Sequence, residues 1–142
     1  MNRAPFSTAL AAELEAGLVG LGDGGQDIPV GRDRPPNNRG SLQYVILYSL
    51  PGGEWTGPAA VPHADAALMY QAKVVAKRSA TEDGLLGAEA IGDLVRPIML
   101  GISGVFGGMT IMRVVSNGMG GADADDRVIN FDERFTYFVT TS

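Results

Sequence analysis

The sequence predicts a single α+β domain over residues 1–142, with a mainly antiparallel or mixed sheet of four to five strands and two helices packed on one face. Three observations predict it. Residues 42–50 read Leu-Gln-Tyr-Val-Ile-Leu-Tyr-Ser-Leu, rich in aromatic and β-branched side chains, and stop at Pro51-Gly52-Gly53, which cannot continue a ladder. Two other segments repeat apolar residues every three or four positions, as helices with a sheet to cover must. The elements run in the order helix, strands, helix, strands.

In chain order, Ser7 or Thr8 can cap a first helix whose stripe is Leu10, Leu14, Leu18 and Leu21, with Glu13 and Glu15 away from it. Gly20, Gly22, Gly24 and Gly25 end that helix. Residues 26–30 read as a short strand, which Pro29 confines to an edge or a strand end. Residues 31–40 hold two prolines, two asparagines and three arginines, Arg32, Arg34 and Arg39; they form either a solvated connection or a partner-contacting loop. Residues 42–50 are apolar on both alternate sets, Leu42, Tyr44, Ile46, Tyr48 and Leu50 against Val45 and Leu47, so they are expected to form the central strand.

Residues 51–65 are a Pro- and Gly-rich loop, of a length uncommon in a compact domain unless it is functional or mobile. Trp55 within it either folds back on the core or is a contact residue, Trp being enriched at interface anchors. Residues 67–77 alternate, with Leu68, Tyr70, Ala72, Val74 and Ala76 facing one way, and predict a half-buried strand antiparallel to the central one.

Ser79-Ala80-Thr81-Glu82 then matches a capping box. Behind it Leu86, Ala90, Ile91, Leu94, Val95, Ile98 and Ile102 form the second stripe, predicting a helix over 80–100. Gly84, Gly87 and Gly92 each weaken it by up to about 1 kcal/mol, and Pro97 should kink or shorten it, so packing has to hold it. Residues 104–108 read as the turn leaving that helix. Residues 109–116 and 128–140 predict two strands pairing as a long hairpin arm around a wide loop at 117–126. On the last strand Ile129, Phe131, Phe135, Tyr137 and Val139 share one alternation, and Asn130, Asp132, Arg134 and Thr136 the other.

The 142 residues are 45% hydrophobic, which suits one domain with one core. Eleven Lys and Arg against sixteen Asp and Glu leave a net charge of −5, which argues against sequence-specific or general nucleic-acid binding. There is no cysteine, so neither a disulfide framework nor a thiolate metal site can form. No apolar run reaches the roughly 18 residues of a membrane span, and the first residues lack the apolar core of a signal peptide; a soluble, intracellular protein is expected. The twenty glycines cluster at 20–31, 52–57, 101–108 and 118–121 and punctuate a folded domain with generous loops.

Catalytic chemistry needs a constellation, and none assembles. His63 is the only histidine and lies in the 51–65 loop, so a histidine relay or a zinc site has no second member. Residues 104–108, Gly-Val-Phe-Gly-Gly, lack the Gly-Lys-Ser/Thr ending of a phosphate-cradling loop. Asp123, Asp125 and Asp126 have a spacing reminiscent of calcium loops, but without the rest of the ligand pattern they read as a solvated acidic loop. Asp132 and Glu133 are neighbours on a strand and face opposite sides, so they cannot act as a dyad. The expectation is a non-enzyme without cofactor or metal.

A short capped helix, an apolar Gln-Tyr-Val-Ile-Leu strand, a second strand ending Gln-Ala-Lys-Val-Val-Ala-Lys-Arg, a Ser-x-x-Glu helix opening, and a last strand of pattern Arg-x-x-x-Phe-x-x-Arg-Phe-x-Tyr-Phe-Val follow one another. This order, over most of the chain, resembles the tail terminator (minor tail protein U-like, tail completion) proteins of long-tailed bacteriophages. The resemblance implies a small subunit forming a hexameric ring on the head-proximal end of the virion tail. There it would stop polymerisation of the major tail tube protein and present a surface to the head–tail connector or neck protein. Loops at 31–40, 51–66 and 117–127 would order on assembly. Arg32, Arg34 and Arg39 in one loop, Asp123, Asp125 and Asp126 in another, and Trp55 are the expected assembly-interface residues, the opposite charges setting register between neighbours. A head-closure or neck connector subunit shares these features. A small ligand-binding regulatory domain is the reading from a different class and would need a preformed pocket.

Overall fold

The computed structural model describes residues 3–36, 43–50, 66–77, 87–120 and 128–140. They form helix α1 (Ala4–Gly17), strands β1 (Val30–Arg32), β2 (Gln43–Ser49) and β3 (Ala66–Lys77), helix α2 (Ala88–Leu100), and strands β4 (Gly104–Phe106), β5 (Met109–Gly120) and β6 (Val128–Thr140). The fold is α+β, and its sheet has six strands in the order β1-β2-β3-β6-β5-β4. β1 runs parallel to β2, and every other neighbouring pair is antiparallel.

The two middle strands are β3 and β6, paired over their whole length from Ala66↔Val139 to Lys77↔Val128. The expectation that 42–50 would be central is therefore corrected: β2 is second from an edge. Its two apolar faces are explained by the helix-side core over Val45 and Leu47 and by cover over Ile46, which is buried on the face away from the helices.

The strand count also rises beyond four to five. β4 lies where a turn was expected, and β1 begins at the last residue of the segment expected to be a strand, so Gly31 and Arg32 belong to the sheet rather than to a loop. β4 and β5 are joined by Gly107-Gly108 with φ of 58° and 82° between the paired Phe106 and Met109. That is a two-residue hairpin turn in which both positions need left-handed backbone, the situation that selects Gly-Gly. β5 continues four residues past Ser116, with irregularities between Ile111 and Arg113 and between Ser116 and Gly118.

α1 begins before the expected Ser7 or Thr8 cap, with Pro5 in its first turn, where a missing N–H costs nothing. Ser7 is buried instead, its hydroxyl 2.7 Å from the Tyr70 hydroxyl. Leu10, Leu14 and Leu18 are buried as the stripe required, whereas Leu21 is exposed. α2 buries Ala88, Ile91, Gly92, Val95 and Met99, and Ala90 faces solvent. Its Pro97 lies in the last turns, and the helix stops at Gly101, whose N–H bonds the Pro97 carbonyl. The Ser79–Glu82 capping box and Leu86 lie outside the described residues.

Both helices lie over the face formed by Val45 and Leu47, Leu68 through Ala76 at alternate positions, and Phe135, Tyr137 and Val139. At its centre Phe6 meets Tyr70, Phe106 and Tyr137, with ring centroids 5.4–6.0 Å apart. Gly17 permits close approach of the helices, since a Cβ there would stand 2.6 Å from Ile98 Cδ1.

Candidate assembly surfaces

The sheet ends in two unlike edges. At the β1 edge the chain folds back over its own strand. Asp33, at φ 58°, donates its N–H to the Leu47 carbonyl at 3.0 Å, and its carboxylate accepts from the Ser49 N–H at 3.1 Å. Residues 34–36 then cross Gly31 so closely that a Cβ there would lie 2.2 Å from the Arg34 carbonyl oxygen. The chain thus overlies the helix-free face at this edge, and Asp33 occupies the β2 edge just past the end of β1. Arg32 and Arg34 line a hollow of about 260 Å³ here. Arg32 donates to the Thr8 hydroxyl at 3.0 Å, while Arg34 is exposed and makes no hydrogen bond or ion pair among the described residues.

At the opposite edge the sheet ends in β4 and β5 among the described residues. β4 pairs only with Met109, Thr110 and Ile111, and the rest of β5 has no second strand partner among the described residues. Val105 is 81% exposed, Met119 60% and Met112 43%, all on these two strands.

Behind that edge, on the helix-free face, a groove of about 290 Å³ is lined by Gln71, Asn117, Gly118, Met119, Asp132 and Arg134. Arg134 donates through Nε to Gln71 Oε1 at 3.3 Å, and the Thr136 hydroxyl bonds Asn117 Oδ1. The Oδ1 atoms of Asp132 and Asn130 are buried without any hydrogen-bond partner. On the helix side, Glu133 is buried and accepts from Arg96 Nε at 3.0 and 3.1 Å and from the Ser116 hydroxyl at 2.7 Å. Arg96 also meets Asp93 at 3.1 Å. The Glu133 hydrogen bond pushes the Arg96 guanidinium above its ordinary value, so it stays charged. Asp132 and Glu133 thus face opposite sides, as strand alternation requires.

Of the residues expected at an interface, the structure brings Arg32 and Arg34 to one edge. Arg39, Trp55, Asp123, Asp125 and Asp126 lie outside the described residues, as does His63. Sequence reasoning missed the pairing of Glu133, although a carboxylate between Phe131 and Phe135 on the inward alternation was a readable signal. Among the described residues no three His, Cys, Asp or Glu side chains cluster as metal ligands, and no helix is long and apolar enough to cross a membrane.

No family model and no curated protein matches the chain. Solved structures do share its architecture. One, whose name carries no functional description, is 16% identical and covers 97% of this chain and 92% of its own, with a TM-score of 0.54. The likeness is one of fold alone.

Proposed function

We propose that this chain is a structural virion subunit of the tail-terminator type. It assembles into a ring, a hexamer in the family it resembles, that caps the head-proximal end of the tail tube, stops tube polymerisation and offers the surface to which the head connector attaches. The observation that supports it is the inequality of the two sheet edges: one overlain by its own chain and arginine-bearing, the other without a further strand among the described residues and flanked by exposed Val105, Met112 and Met119. A ring needs one heterologous contact, repeated, between two different patches of the same subunit. Apolar side chains grouped along an unpaired edge are a feature that monomeric proteins avoid. Arg32, Arg34 and Arg39, Trp55, and Asp123, Asp125 and Asp126 belong in this reading to the contacts between neighbours or with the tube and connector.

Native mass spectrometry of the purified chain, followed by electron microscopy with purified tail tubes, tests it. The expected result is a closed ring that sits on one end of each tube. Rings that bind connector particles but leave tube ends bare would move the assignment to a head-closure or neck subunit. A chain that stays monomeric beside tubes while binding a metabolite would overturn it.

A further inference from the structure

Asp132 presents a chemical deficit and Arg34 a chemical surplus. A buried acceptor without a partner costs about 1–3 kcal/mol, more for a charged group, and native proteins keep few of them. Asp132 Oδ1 is one, and its side chain lines the groove beside Asn117, Gly118 and Met119. Arg134 shares that groove but is turned towards Gln71, so Oδ1 remains untaken. Lys73 stands opposite Asp132 in the ladder and also leaves it so. With no cluster of metal ligands among the described residues, a side-chain cation is the chemistry that fits.

Arg34 supplies one. It is exposed and unpaired among the described residues, and its backbone is fixed by the close crossing over Gly31 and by Pro35 and Pro36. The backbone is held in place, so capture of this guanidinium costs side-chain rotamer entropy but no loop ordering. Gly31 pairs with Ile46, which faces the same side of the sheet as Lys73 and Asp132, so Arg34 and the groove share the helix-free face. Within one subunit they cannot meet: β1 and β6 are three strand spacings apart, about 14 Å. Between two subunits laid edge to edge they can, because the groove borders the β5 edge and Arg34 the β1 edge.

Resting on the ring assignment above, we propose that Arg34 of one copy of this chain enters the groove of the next and pairs with its Asp132, and that this heterologous contact sets the register of the assembly.

A charge swap tests it. Arg34→Asp alone and Asp132→Arg alone should each raise the dissociation constant between copies at least about tenfold, the lower end of what close interfacial charge pairs contribute. The R34D/D132R double variant should return to within about threefold of the wild type in native mass spectrometry and sedimentation velocity. Circular-dichroism melts check folding, and Asp132→Asn replaces Asp132→Arg if the latter unfolds; it too should weaken association. Rings that form unchanged with Arg34→Asp would overturn this contact and leave the ring assignment standing. Failure of the folded double variant to recover would overturn it as well. A wild-type chain that stays monomeric with and without tubes would overturn both.

Discussion

Glu133 occupies a place on β6 where alternation calls for an apolar side chain, and it is 3% exposed. What allows it is complete pairing: two contacts from Arg96 Nε and one from Ser116. Removing one member of a fully buried ion pair costs about 3–5 kcal/mol, but Arg96 keeps 30% of its side chain in solvent, so Glu133→Gln should cost less, about 1–2 kcal/mol. Urea melts at neutral pH check this, and a loss under 0.5 kcal/mol would show the pair to be energetically idle. Tyr137 is the other buried titratable group of note, its hydroxyl donating to the Met99 carbonyl at 2.7 Å. Burial, with Tyr70 beside it, pushes this hydroxyl well above the ordinary tyrosine value of about 10. The unfolded chain releases that proton near pH 10 while the folded chain keeps it, so the stability is fully present below that pH and falls as pH rises past it. Tyr137→Phe should cost about 1 kcal/mol at pH 7 through the lost hydrogen bond, yet flatten the alkaline decline by up to about 1.4 kcal/mol per pH unit. Urea melts at pH 7, 10 and 11 would reveal it; an equal slope in both proteins would show that other groups drive the decline.

The helices illustrate how packing reverses a local preference. Gly92 weakens α2 by propensity, and alanine should gain up to about 1 kcal/mol there. In the fold, however, a Cβ at Gly92 would stand 2.7 Å from two atoms of the Phe131 ring on β6. Overpacking of that kind costs about 1–3 kcal/mol, so Gly92→Ala should destabilise by about 1 kcal/mol net. Adding Phe131→Leu should then cost less than it does in the wild type, a coupling that a double-mutant cycle measures. The same contrast explains what was legible in the sequence. The Leu10, Leu14, Leu18 stripe and the 68–76 alternation are local periodicities, and both are buried as read. The rank of 42–50 within the sheet was not legible, because apolarity on both alternations reports cover over both faces and not how many strands lie to either side. β4 is three residues long, too short for any period, and only Gly107-Gly108 between Phe106 and Met109 marked it. At the candidate interface, charge alone picked out Arg32 and Arg34. The deficit at Asp132 depends on what lies across the sheet, which no window of sequence contains.

Taken whole, the fold has one sheet edge overlain by its own chain and one with no further strand among the described residues, and under the proposed assembly symmetry turns this into a prediction. If two copies joined through their open β5 edges, the contact would be isologous and would stop at a dimer. If the open edge meets the arginine-bearing edge of the next copy, the contact is heterologous and can close a ring. Native mass spectrometry separates the two by stoichiometry alone. Val105 then decides whether this edge takes part at all. It is 81% exposed on β4, so Val105→Lys should leave stability within about 0.5 kcal/mol of the wild type. A lysine on an edge strand is nevertheless one of the devices by which proteins refuse edge-to-edge contact. If the proposed ring closes through this edge, the expected result is an unchanged thermal melt together with a shift from ring to monomer in sedimentation velocity. An unshifted sedimentation profile would mean that copies of the chain do not meet through the β4–β5 edge.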